Sequence, residues 1–121
     1  MRVLIADDNV DGAASLAALL ACQGHEVRVC NDGQSALDAA KQFRPQAAVL
    51  DIGMPQLSGH EVARRIRLQS WSRETLLVAM SGWGASRDKD LARRAGFDYH
   101  LTKPLDVAPL LNLLAENAAH A

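Results

Sequence analysis

Residues 47–59, AAVLDIGMPQLSG, carry a short apolar run into a single carboxylate, Asp51, and then break the pattern with Gly53, Pro55 and Gly59. An apolar run this short, closed by turn-forming residues, reads as a buried strand whose last side chain emerges at a sheet edge. The same form recurs in RVLIA (2–6), EVRVC (26–30), LLVAM (76–80) and FDYHL (97–101). Residues 10–23, 34–43, 59–69, 87–95 and 106–117 instead space Ala, Leu, Val and Ile at helical intervals. The resulting (βα)5 order predicts an α/β fold with a parallel sheet covered on both faces. Its last strand carries Asp98 and His100 and reads as an exposed edge. Boundary residues support the helices: Gly24 and Gly96 suit C-caps, Ser58 with Glu61 suits a capping box, and Asp106 suits an N-cap with Pro109 in the first turn.

Composition narrows the function classes. The 121 residues are 49% hydrophobic, with 13 basic and 14 acidic side chains, which suits one domain over 1–121 and gives no basic surface for direct nucleic-acid binding. The local cluster Arg64, Arg65 and Arg67 reads as a solvated helix face. Cys22 and Cys30 lie in apolar segments without metal-ligand spacing, so they are expected to be buried, reduced thiols in a cytoplasmic protein. MRVLIADDN turns acidic too early for a signal peptide, and no apolar run is long enough for a membrane span.

Ligands of open α/β sheets bind beyond the carboxyl ends of the strands. There the chain places Asp7 and Asp8 after the first strand, Asp51 after the third, Ser81 after the fourth and Lys103 after the fifth; Asn31 and Asp32 after the second are equally explained as a turn. Taken singly, each has an ordinary explanation. Asp7 and Asp8 can cap a helix, Ser81 can belong to a turn, and Lys103 can be a loop lysine. Their coincidence at one edge is what points to a site. Like charges among the three aspartates would cost about 4 kcal/mol per pair at 4 Å and an effective dielectric near 20, so a cation belongs among them. Hard carboxylate oxygens favour Mg2+, and Lys103 adds a second positive charge. A divalent cation, a lysine, a hydroxyl and a carboxylate together suit phosphoryl transfer to Asp51 as nucleophile.

In LIADDN, LDIGMPQLSG, AMSG and LTKP, taken in order, the whole chain resembles the receiver domain of two-component response regulators. The resemblance implies a flavodoxin-like sheet in the order 2-1-3-4-5, an arrangement for which a chemotaxis receiver is a standard example. It implies that Asp51 accepts a phosphoryl group from a phosphohistidine on a histidine kinase. Asp8 and Asp51 would ligate Mg2+ directly, Asp7 mainly through water, and the Gly53 carbonyl would complete the protein ligands. Lys103 would contact the phosphoryl oxygens, Ser81 would swing in to hydrogen-bond one of them, and a cis Lys103–Pro104 bond is expected. Activity of its own would be limited to self-phosphorylation from small donors and hydrolysis of its aspartyl phosphate.

His100 stands where the family often has Tyr or Phe moving with the hydroxyl. It reads either as a switch sensitive to pH in the physiological range or as a half-exposed strand residue. Gly53 and Trp83 flank the phosphoryl position; Trp83 reads as a brake on loss of phosphate or as a loop aromatic capping the core. A switch from 1:99 to 99:1 needs about 5.5 kcal/mol, whereas a charge-assisted hydrogen bond supplies about 1.5–3 kcal/mol. Ser81 alone therefore predicts a partial population shift. The resemblance locates that shift on the fourth helix, last strand and fifth helix, where a phosphotransfer or effector partner would bind.

Rival functions fit less well. An aspartate-nucleophile phosphatase commonly needs an acid at position 53, which is glycine, and neither a dinucleotide GxGxxG nor a P-loop pattern occurs. LDIGMP and GFDYHLTKP resemble receivers fused to hybrid histidine kinases. An excised domain with Met1 added and a free-standing receiver are both compatible with the sequence.

Overall fold

The computed structural model describes residues 1–82 and 86–118. Five strands form one parallel sheet: β1 (Arg2–Ala6), β2 (Glu26–Cys30), β3 (Ala47–Asp51), β4 (Leu76–Ser81) and β5 (Tyr99–Thr102), in the order β2-β1-β3-β4-β5. Helices α1 (Val10–Cys22), α2 (Gly33–Phe43), α3 (Gly59–Arg67), α4 (Ser86–Ala95) and α5 (Val107–Ala118) follow the strands in turn. The flavodoxin-like order expected from the sequence is the one observed.

Strand alternation divides the core in two. Leu4, Ala6, Ala48, Leu50, Leu77 and Ala79 pack with residues of α2, α3 and α4. Val3, Ile5, Val49, Val78 and Met80 pack instead with Leu16 and Leu20 of α1 and Leu110 and Leu114 of α5. β1, β3 and β4 are accordingly apolar on both faces. The last strand is the exposed edge expected of it, and β2, at the other edge, leaves residues exposed as well. Glu26 and Arg28 of β2 are among them, as suits an edge that must not pair with a second chain.

Boundary chemistry explains most helix ends. Asp32 caps α2 by accepting from the Ser35 amide, and Ser58 accepts from Glu61 N at the start of α3. The Glu61 carboxylate pairs outward with Arg64 and Arg65. Asp106 accepts from Ala108 N before α5. Gly96 closes α4 at φ 106°, with its amide on Arg93 O and the Phe97 amide on Ala92 O. Gly24, also left-handed, follows Gln23, the C-cap of α1.

Four sequence expectations need correction. Helix α3 stops at Arg67 instead of residue 69, because Leu68 and Gln69 donate three residues back to Arg65 O and Ile66 O, and a 3-10 turn (Ser70–Ser72) follows. The last strand pairs from Tyr99 and not from residue 97, since Phe97 is drawn into the core. Cys22 is exposed, lying at the end of α1 beyond the buried Leu20, whereas Cys30 is half-buried on edge strand β2; both thiols are free. Arg67 is not a solvated partner of Arg64 and Arg65. Its guanidinium donates to Gly96 O, Ser72 O and Thr75 O and pairs with Asp98 at 2.7 Å. One side chain thereby ties the end of α3 to the approaches of β4 and β5.

Candidate functional site

The carboxyl ends of β1, β3 and β4 and the loop after β5 converge. Asp7 and Asp51 are both buried, whereas Asp8 is exposed. The three offer carboxylate oxygens within 4.8 Å of one another. Asn9, not either aspartate, caps α1 by accepting from Gly12 N. Asp7 and Asp8 are thus released from the capping role that would have explained them structurally.

Asp7 is held from several sides. Its Oδ1 accepts from Asn9 N at 2.9 Å, its Oδ2 accepts from Lys103 Nζ at 2.8 Å, and its backbone carbonyl accepts from Asn31 Nδ2 at 3.0 Å. Asp51 Oδ1 accepts from Gly53 N at 3.0 Å, while Oδ2 faces Lys103 Nζ at 3.3 Å. Lys103 therefore bridges both buried acids, and Asp7 is the nearer. The cis Lys103–Pro104 bond expected from the resemblance is present, and Lys103 N donates to Ser81 O at 2.7 Å.

Charge is unevenly tolerated across the pair. Burial raises the Asp51 carboxyl, and Asp7 adds to that through a shared hydrogen bond and its charge, so it lies above the usual range despite the Gly53 amide and Lys103. Burial opposes charge on Asp7 too, but Lys103 and the Asn9 amide outweigh it and hold that carboxyl low. At Lys103 burial disfavours the ammonium, yet the two carboxylates dominate and its pKa is raised. One lysine near three acids leaves negative charge uncompensated. Oxygen donors from three carboxylates suit a hard divalent cation. These residues fit Mg2+.

Ser81 is buried at the end of β4, and its Oγ lies 2.8 Å from Nε2 of His100 on β5. Ala79 pairs with His100 in the sheet register, so Ser81 and His100 alternate onto the same face. Among the described residues, a Cβ at Gly53 would meet only Asp51 Oδ1, at 3.5 Å. Trp83 lies outside the described residues. Beside Asp7 and Lys103 a groove of about 530 Å3 runs between α1 and the loop into α5, lined by Ile5, Leu16, Leu19, Met80 and Leu105.

The sequence reading missed two supports of the site, Asn9 and Asn31. Asn31 stood at a strand end like the aspartates, which was the available signal; its turn explanation concealed a contact to Asp7 O. A third feature was equally hidden. Gly59 packs so closely on the end of β3 that a Cβ would stand 2.5 Å from Asp51 O.

Comparisons with known proteins agree with this geometry. Residues 3–115 match the family model of the response regulator receiver domain. The transcriptional regulatory protein PrrA of Mycobacterium tuberculosis is 37% identical over 91% of the chain. The match covers 46% of PrrA, so the chain spans about half the length of that relative. Chemotaxis protein CheY4 of Vibrio cholerae superposes with a TM-score of 0.89 at 27% identity, over 95% of this chain and 96% of that one. The receiver domain of sensor histidine kinase PA1611 from Pseudomonas aeruginosa, a structure with magnesium coordinated in its active-site cleft, gives 0.86 at 28% identity over 95% and 94%.

Proposed function

The chain belongs to the family of response regulator receiver domains of two-component signalling, and on that footing we propose that Asp51 accepts a phosphoryl group from the phosphohistidine of a histidine kinase. The observation that carries the reading is the bridge of Lys103 across Asp7 and Asp51, with Asp8 beside them. It gives a buried carboxylate nucleophile a cation on one side and acidic cation ligands on the other.

In the transfer, an Asp51 carboxylate oxygen forms a bond to phosphorus as the bond from phosphorus to the imidazole nitrogen breaks, and the electron pair returns to the donor ring. Asp51 must be ionised to attack, and its raised carboxyl makes the bare site a poor host for that charge. Asp8 and Asp51, with the Gly53 carbonyl, would hold Mg2+ directly and Asp7 mainly through water, and the ion would supply positive charge that favours the ionised carboxylate and offsets charge on the transferring group. Lys103 shifts from pairing carboxylates to pairing phosphoryl oxygens. The buried Ser81 hydroxyl donates to another, shifting part of the population on the α4–β5–α5 face.

The apolar groove between α1 and the loop into α5 opens beside Lys103, which suits a donor domain approaching Asp51 from that side. Output passes to an effector or phosphotransfer partner, or to a kinase in the same polypeptide. Among the described residues no helix is long and apolar enough to cross a membrane, and a cytoplasmic setting goes with this role. Incubation with Mg2+ and acetyl phosphate tests the reading by intact mass. A phosphoryl-sized gain that requires Mg2+ and is lost in Asp51→Ala supports it; a gain that survives the substitution contradicts it.

A further inference from the structure

The parallel register of β1 and β2 pairs Ala6 with Cys30, which sets Asp7 opposite Asn31 just beyond the strand ends. Asp7 N donates to Cys30 O at 3.1 Å, as a continued ladder requires. In a parallel ladder the matching donor to Asp7 O would be the backbone amide of residue 32. Asp32, however, is the N-cap of α2. The side chain of Asn31 meets the carbonyl instead, with Nδ2 donating to Asp7 O at 3.0 Å. A carbonyl only accepts, so the contact also fixes which end of the Asn31 amide faces it. The end of β2 therefore grips the Asp7 backbone at both its amide and its carbonyl.

That carbonyl belongs to the planar peptide joining Asp7 to Asp8, and its direction sets the direction in which Asp8 leaves the strand. The three acids differ in what else holds them. The Asp7 carboxylate has the Asn9 amide and Lys103, and the Asp51 carboxylate has the Gly53 amide and Lys103. Among the described residues, the exposed Asp8 carboxylate takes part in no hydrogen bond or ion pair. It nevertheless offers an oxygen within 4.8 Å of the other two. Its backbone is what puts it there.

We infer that Asn31 is a positioning residue of the cation site: by holding the Asp7–Asp8 peptide, it keeps the Asp8 carboxylate within reach of an ion shared with Asp7 and Asp51. This rests on the reading of the three aspartates as Mg2+ ligands and goes beyond it. Groups that orient the ligands of a metal tune its affinity without touching it. Without the Asn31 donor the peptide is freer to turn, and the cost of ordering Asp8 falls on the binding step. Asp7 and Asp51 keep their own partners, so the loss passes through Asp8.

Mg2+ alone is titrated into the parent chain, into Asn31→Ala and into the near-isosteric Asn31→Leu, neither of which can donate, and binding is followed by backbone amide shifts. Both substitutions should weaken Mg2+ binding several-fold, about tenfold at most, the range of one hydrogen bond. The titrations are repeated in an Asp8→Asn background, where the same substitutions should change affinity by less than about twofold. Unchanged affinity in the single variants, or an equal loss with and without Asp8, overturns the inference. A second readout needs no metal: in EDTA the Asp7 carbonyl 13C resonance should move upfield in both variants, as loss of its hydrogen bond requires, while the amide spectrum keeps the dispersion of a folded domain. An unmoved Asp7 carbonyl overturns the inference independently of affinity. Failure of the parent chain itself to bind Mg2+ would instead overturn the reading of the aspartates on which the inference rests.

Discussion

Lys103 Nζ stands 3.3 Å from Oδ2 of Asp51, joining the loop after β5 to the end of β3 across 52 residues of sequence. The same ammonium donates to Asp7 Oδ2 at 2.8 Å. Lys103→Met leaves two buried carboxylates without that partner, so the domain should lose about 1.5–3 kcal/mol in EDTA at neutral pH. Urea denaturation measures the loss, and Mg2+ should restore more stability to this variant than to the parent. An unchanged midpoint in EDTA would mean that the bridge contributes nothing to the fold.

Asp51→Asn should act in the opposite direction. Relief of a like-charge pair, about 4 kcal/mol at 4 Å and a dielectric near 20, exceeds the about 1.5–3 kcal/mol lost with one Lys103 contact; a net gain of about 1–2.5 kcal/mol follows without Mg2+. Because the folded-state Asp51 carboxyl is raised, its contribution is favourable below its unfolded value, about 3.9, and is lost as pH rises through the folded value. Asp7 is lowered, so its contribution is present above the unfolded value and is lost as pH falls through the folded one. The advantage of Asp51→Asn should therefore be largest near neutrality and close as pH falls through the raised Asp51 value. Thermal melts over that range, with and without Mg2+, measure it; a variant less stable than the parent at neutral pH in EDTA would contradict the charge assignment.

Gly59 tests how tightly the Asp51 backbone is held. A Cβ there would stand 2.5 Å from Asp51 O and 2.8 Å from Ile52 Cα, both backbone atoms that cannot rotate away. Gly59→Ala should cost about 1–3 kcal/mol through forced displacement and slow phosphoryl acceptance as well. Full acceptance at parental stability would show that the loop yields freely.

Arg67→Ala removes donors to three backbone carbonyls together with the ion pair to Asp98. A loss of about 2–4 kcal/mol is expected, since several half-buried acceptors lose their partners at once. Lysine cannot reproduce the planar fork, so Arg67→Lys should recover only part of it. Denaturation midpoints of the two variants, read against the parent, decide between this brace and a merely solvated arginine.

The fold was legible because three strands are apolar on both faces and each ends in a polar residue at the same edge. Asp51 and Ser81 were legible as strand-end residues for that reason, and Lys103 by its place after the last strand. Hidden features depended on tertiary placement. Arg67 shares its run with Arg64 and Arg65, and only the helix direction separates the brace from the solvated pair. Cys22 sits in an apolar stretch, but its place on α1 faces outward. Asn31 looked like turn chemistry, and nothing in its local sequence announces a carbonyl on another strand. The bond between Ser81 and His100 was equally out of reach, since it depends on the β4–β5 register.

Borohydride trapping tests the assignment of the phosphoacceptor most directly. Treatment after incubation with Mg2+ and acetyl phosphate reduces an acyl phosphate to an alcohol, so peptide mass spectrometry should find the side chain at position 51 converted from aspartate to homoserine, and only with Mg2+ present. Homoserine at Asp7 or Asp8 instead, or a phosphorylated protein with unaltered Asp51, would contradict the account.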